Sequence, residues 1–174
     1  MKISINTSGT ITDTKLKVVD IAFKQLVEDF SQATIVTDKL KAPYYLRCEA
    51  TKRSDKCCGD TSELLILDCD SSTDGGDPPA LDDVCVVLEA NSIDYIAHST
   101  HSHTPQNPRY RVLIHCDYSR DTLETALEQI HRVLHDEGVM LANVTENSTW
   151  AQAWLAPSMA DDQHFQHRHY IGGE

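Results

Sequence analysis

Residues 93–116 read IDYIAHSTHSHTPQNPRYRVLIHC. Two runs rich in aromatic and β-branched residues, 93–100 and 110–116, flank a segment marked by Pro105 and Pro108. The pattern predicts paired strands joined by a histidine-rich turn. Alternation puts Arg109 and Arg111 on one face of the second strand and Tyr110 on the other.

Working outward, SELLILDCD (62–70) is an unbroken apolar run ending in acids, which predicts a strand covered on both faces. SSTDGGDPP (71–79) is a loop, with Asp74 and Asp77 as loop residues. Pro79 suits the first turn of a helix carrying Leu81, Val84, Cys85 and Leu88. SRDTLETALEQIHRVLHDEG (119–138) is the clearest helix: Ser119 caps it, Leu123, Leu127, Ile130 and Leu134 form its stripe, and Gly138 stops it. YYLRCEAT (44–51) reads as a strand, followed by the loop KRSDKCCGD. TKLKVVDIAFKQLVEDF (14–30) places Val19, Phe23, Leu26 and Phe30 at helical spacing behind Asp13 or Thr14. Two short strands close the chain, near 149–156 and 164–171. This order predicts an α+β domain, with helices on one face of a mainly antiparallel sheet and the other face open.

With 174 residues, 40% of them hydrophobic, the chain is expected to form one domain over 1–174, and the sequence also fits the N-terminal part of a longer protein. It has no stretch of membrane-spanning length, and MKISINTSG lacks the apolar run of a signal peptide. No membrane partner and a cytoplasmic location are expected. The six cysteines follow no secretory segment and include no CxxC pair, so reduced thiols are expected rather than disulfides or structural zinc. The net charge of −12 argues against a duplex-coating protein. Contact with nucleic acid must be local, and basic residues do cluster at Arg47, Lys52, Arg53 and Lys56 and again at Arg109 and Arg111.

Asp68 and Asp70 share a face at the exit of a buried strand, about 6.6 Å apart along it. Such a pair is either solvated or bound. Carboxylate oxygens are hard ligands for Mg²⁺ or Mn²⁺, and two of them can converge on ions about 3.5–4 Å apart, as in two-metal phosphoryl transfer. The turn carries matching chemistry, since arginine forks phosphate and imidazole donates to phosphate or sugar oxygens. Two other readings of the turn stay open. His101 and His103, spaced HxH, are a possible transition-metal pair. The same spacing resembles rolling-circle nucleases, with Tyr110 or Tyr118 as nucleophile.

The combination LDCD, YIAHSTHSHTPQNPRYRVLIHCD and WAQAWLAPS, over residues 44–158, resembles the archaeo-eukaryotic primase superfamily, in particular the primase-polymerase domains of phages and plasmids. The resemblance implies an RRM-like primase palm. It also implies template-directed nucleotidyl transfer, in which a 3′-hydroxyl attacks the α-phosphate of an NTP or dNTP with Mg²⁺ or Mn²⁺ held by Asp68 and Asp70. An S-x-H motif would contact the nucleotide through Ser99 and His101, or through His103 in a shifted register. Arg109 or Arg111 matches the arginine after the proline turn, and KRSD supplies Lys52 and Arg53. The third acid of the family is missing: Asn143 stands near its place, and Glu146 is the nearest carboxylate. Implied partners are single-stranded DNA template and a replicative helicase, fused or separate. A replication-associated domain that binds DNA or nucleotide without catalysis is the alternative.

Overall fold

The computed structural model describes residues 1–6, 10–11, 13–161 and 164–172. Its elements in chain order are β1 (Lys2–Asn6), β2 (Leu16–Asp20), α1 (Phe23–Phe30), β3 (Thr34–Ile35), β4 (Tyr44–Leu46), β5 (Thr61–Cys69), α2 (Leu81–Ala90), β6 (Tyr95–Ser99), β7 (Tyr110–Ser119), α3 (Leu123–Asp136), α4 (Thr145–Ser148), β8 (Trp154–Leu155), β9 (Ser158–Met159) and β10 (His167–Tyr170). The main sheet runs β10-β6-β7-β5, antiparallel throughout. A second antiparallel sheet runs β2-β1-β4-β8, and β3 pairs with β9 in parallel. The fold is α+β, and its larger sheets are antiparallel.

β5 buries both faces, as its apolar run predicts. Leu65, Leu67 and Cys69 enter the core beneath α2 and α3, while Leu64 and Ile66 enter a second core with α1, Tyr45 and Trp154. The second face is therefore not open as expected. β1 escapes notice as a strand, yet it buries Ile3 and pairs with both β2 and β4, carrying the second sheet onto that face. On this side the end of β5 that bears Asp68 and Asp70 adjoins a cleft.

The helix expected over 14–30 starts at Phe23, and Leu16–Asp20 is β2. Val19 fits the helical spacing by coincidence: it sits opposite Ile3 in the β1 ladder, and strand pairing outweighs local periodicity. The strand expected over 44–51 narrows to β4, and the one near 149–156 to β8. The helix ending at Gly138 is as read, with Gly138 at φ +80°, the left-handed conformation that glycine adopts without strain. α2 links β5 to β6, and β7 lies between these two parallel strands. After α3 the chain leaves for the second sheet through β8, and β10 supplies the fourth strand of the main sheet beside β6.

Candidate functional site

Strand register builds the site. Asp68 on β5 pairs with Arg111 on β7, Arg111 with His98 on β6, and His98 with His167 on β10, so one row crosses the whole main sheet. Residues in register share a face, which is the face of Leu64 and Ile66. Beyond the row, at the same end, Asp70 follows β5 and Arg109 precedes β7. The turn between β6 and β7 is closed by Thr100 N–H donating to the Arg109 carbonyl and by mutual backbone bonds between Thr104 and Asn107. These groups line a cleft of about 270 Å³ together with Lys39, Thr100, His101, Glu146 and Gln152.

The Arg111 guanidinium is committed. Its Nε and Nη2 donate to Asp68 Oδ1 at 3.1 and 2.7 Å, its Nη1 donates to the Leu155 carbonyl at 3.0 Å, and its plane lies 4.8 Å from the Trp154 ring centre. The Arg111 side chain is only 8% exposed and that of Asp68 16%, which makes this a largely desolvated pair. The outer pair is looser: Arg109 Nη1 donates to Asp70 Oδ2 at 3.0 Å with both side chains about a third exposed. Asn147, fully buried, holds the strand end by accepting the Asp68 backbone N–H on Oδ1 at 2.8 Å.

Burial and the Asp68 charge raise the Asp70 carboxyl above the usual aspartate range, against the pull of Arg109, Arg111 and Lys39. The upward shift of Asp70 is thus a cost of burial beside a second acid, which its cationic neighbours offset only in part. Asp68 Oδ2 and Asp70 Oδ1 accept no hydrogen bond among the described residues. Two hard carboxylates with a free oxygen each suit Mg²⁺ or Mn²⁺, which keep waters and take substrate phosphates as further ligands. Among the described residues no three His, Cys, Asp or Glu side chains are grouped to enclose a metal, so the donor set does not form a closed protein cage.

His98 is neutral. Its Nδ1 must carry the proton, because it lies 2.9 Å from the Ser99 carbonyl, which can only accept. Burial, and then the Arg111 charge, pushes its pKa down to about 3. His101 donates from Nε2 to the Val36 carbonyl at 2.7 Å, tying the turn to the segment after β3.

Of the residues expected from sequence, Asp68, Asp70, His101, Arg109, Arg111 and Glu146 meet in the cleft. The others lie outside it. Ser99 faces away and accepts the Gln166 N–H on Oγ. His103 accepts the Arg109 N–H on Nδ1 and lines a separate groove beside Tyr110 and Phe165. Arg53 lies over the Tyr44 ring, and Lys52 faces Lys15 across an antiparallel bridge. Asn143 accepts from Asn147 Nδ2 and sits beside His131 and His135. His101 and His103 do not converge on one point. The hydroxyls of Tyr110 and Tyr118 are taken up by donating to the Pro79 and Leu64 carbonyls. Lys39, His98 and Asn147 are site residues that sequence reasoning misses. Only His98 leaves a signal, since alternation from Ile96 puts it on the row of Asp68 once the register is known.

None of the known protein families, curated proteins or solved structures matches this chain. Among the described residues no helix is long and apolar enough to cross a membrane. The class that fold and site define is an α+β protein with an acid- and arginine-lined cleft at one end of an antiparallel sheet.

Proposed function

We propose that the cleft binds the polyphosphate of a nucleoside triphosphate with Mg²⁺ or Mn²⁺, and that the chain is a DNA-dependent nucleotidyltransferase of primase-polymerase type. The observation that carries this reading is the meeting of two carboxylates, each with an oxygen that accepts no hydrogen bond among the described residues, and three cations, Arg109, Arg111 and Lys39, in one cleft. At about 270 Å³ the cleft lies at the small end of ligand sites, room for a polyphosphate with the base at the mouth. The run β5-α2-β6-β7 is a split strand-helix-strand unit like the one with which an RRM-like palm begins, which supports the resemblance over 44–158, while the fourth strand departs from that pattern by joining beside β6 and not beside β5.

The residues divide by burial. Asp68 and Asp70 would hold the metal, which when bound supplies charge neutralisation for the phosphates. Arg111 is a positioning residue that orients Asp68 through two hydrogen bonds to Oδ1. Arg109 is exposed enough to exchange partners: an arriving triphosphate takes its guanidinium, leaving both Asp70 oxygens free. His101 lines the same cleft and anchors the turn. In the reaction a 3′-hydroxyl attacks the α-phosphate and pyrophosphate leaves. The resemblance adds single-stranded DNA as template and a replicative helicase as partner.

The test is metal-dependent incorporation of labelled nucleotide on a single-stranded template. Asp68→Ala and Asp70→Ala should each abolish it, with folding checked by circular dichroism. Full activity in the double variant would refute the assignment. A second reading, nucleotide or DNA binding without catalysis, is favoured by one observation: among the described residues Glu146 is the only further carboxylate lining the cleft, and Asn143 is turned away from it. Triphosphate binding without incorporation under any divalent metal would decide for that reading.

A further inference from the structure

Lys15 and Lys52 stand directly opposite each other across an antiparallel bridge, framed by Leu16 N–H donating to the Thr51 carbonyl and Arg53 N–H to the Thr14 carbonyl. Like charges in register on neighbouring strands repel and cost stability. Both lysines are exposed. Lys17, two residues along and also exposed, adds a third charge to the same side. The bond from Ile11 N–H to the Leu40 carbonyl brings the turn of Lys39 and Lys41 beside this segment, and Ile11 and Lys39 line the cleft. Among the described residues none of these five lysines forms an ion pair. On a chain of net charge −12, five lysines thus stand on three segments joined by these backbone bonds, one of which borders the cleft, with Asp13 and Asp38 interspersed among them.

We infer that Lys17, Lys15, Lys52, Lys41 and Lys39 form a track for the phosphate backbone of single-stranded nucleic acid, running from the edge of the second sheet to the cleft. The inference rests on the reading of that cleft as a nucleotidyl-transfer site, and it assigns the direction from which the template strand enters. A polyanion supplies the counter-charge that the facing lysines lack. The strand is single because the track ends in a cleft of about 270 Å³, which no duplex enters, and a flexible chain can follow the bend from β2 to the turn at Lys39. The exposed faces of α2 and α3 carry Asp82, Asp83, Glu124, Glu128 and Glu137 and repel phosphate, which confines the strand to the track.

The test is fluorescence anisotropy of the whole chain with a labelled oligothymidylate of about 16 nucleotides, titrated from 50 to 200 mM salt. Each phosphate contact on a single strand contributes a slope of about −0.7 in log K against log salt, so each lysine removed should cut the affinity lost over this range by about 2.6-fold. Lys15→Ala/Lys17→Ala should cut it by about 7-fold. Lys15→Glu should weaken binding further while raising the unfolding temperature, because it turns a repulsive cross-strand pair into an attractive one. Unchanged affinity and slope in both variants would overturn the track. So would equal affinity for a duplex of the same length, or stronger binding to phosphatidylserine vesicles than to the oligonucleotide. Manganese-dependent binding of a fluorescent triphosphate to the same proteins separates the two readings. Lysine-dependent oligonucleotide binding with no triphosphate binding sinks the cleft reading and leaves the track. Triphosphate binding with lysine-independent oligonucleotide binding does the reverse.

Discussion

Replacing Arg111 by methionine should destabilise the protein far more than replacing Arg111 and Asp68 together. The single change removes the only partners that Asp68 Oδ1 has among the described residues and leaves a carboxylate, 16% exposed, beside Asp70 and beneath the second sheet. Breaking a buried pair from one side costs about 3–5 kcal/mol, because the remaining charge is stranded. In a chain of this length each kcal/mol moves the unfolding midpoint by about 2–4 °C, so Arg111→Met should unfold roughly 6–20 °C below the wild type. Arg111→Met with Asp68→Leu removes both charges and keeps the volume. It forfeits only the bond to the Leu155 carbonyl and the contact with Trp154, about 1 kcal/mol each. The double variant should therefore recover about 1–3 kcal/mol over the single, in the range of interaction energies between residues in contact. Urea unfolding followed by circular dichroism, on all four proteins of the cycle, gives the numbers. A loss below about 1 kcal/mol for Arg111→Met, or a double variant no more stable than the single, would refute the claim that the two side chains form one desolvated unit.

Three further outcomes follow from the same geometry. His98 has its pKa lowered to about 3, so its contribution is present in full above the ordinary histidine value near about 6.5 and is withdrawn as pH falls toward the folded value. His98→Gln should flatten the acid limb of the stability profile, on the order of 2–3 kcal/mol near about pH 4, and an unchanged limb in urea titrations would count against a buried neutral ring. Asn147→Ala should cost about 1–3 kcal/mol by orphaning the buried Asp68 N–H, with hydrogen exchange quickening at that amide, and full protection there would contradict the assignment. Mn²⁺ at about 100 times its Kd should stabilise the wild type by about 2.7 kcal/mol, and Asp68→Asn/Asp70→Asn should lose that gain in calorimetry. Asn143→Asp should leave it unchanged, and a tighter metal would instead bring residue 143 into the site.

The elements that sequence makes legible are those whose signals are local. α3 has its apolar stripe and its glycine stop within one segment, and β5 with the β6–β7 hairpin has alternation and turn prolines. Alternation then puts Arg109 and Arg111 on one face and Asp68 and Asp70 on another strand's face, and the pairing of β5 with β7, which no local signal announces, brings the two sets to one end. The second sheet is different, because β4 finds its partner β8 more than a hundred residues away and only two residues of β8 take part. No local pattern encodes such pairing. β2 was hidden for another reason, since the apolar residues of a short strand and of the helix behind it fall on one helical period. Asn147 sits on the four-residue α4, whose sequence TENS shows only polar residues; its role appears once the chain folds it against β5. The family resemblance implies a nucleotide contact for Ser99 or His103, but one accepts the Gln166 N–H and the other turns back onto the backbone of Arg109.

The central claim is that the acids at the end of β5 and the cations around the β6–β7 turn grip one metal-bound triphosphate. Crystals soaked with Mn²⁺ and a non-hydrolysable triphosphate test it directly. The account predicts anomalous density between Asp68 Oδ2 and Asp70 Oδ1, with phosphate oxygens against Lys39 and an Arg109 that has left Asp70. Metal and triphosphate bound elsewhere on the molecule, with both arginine–aspartate pairs intact, would contradict it.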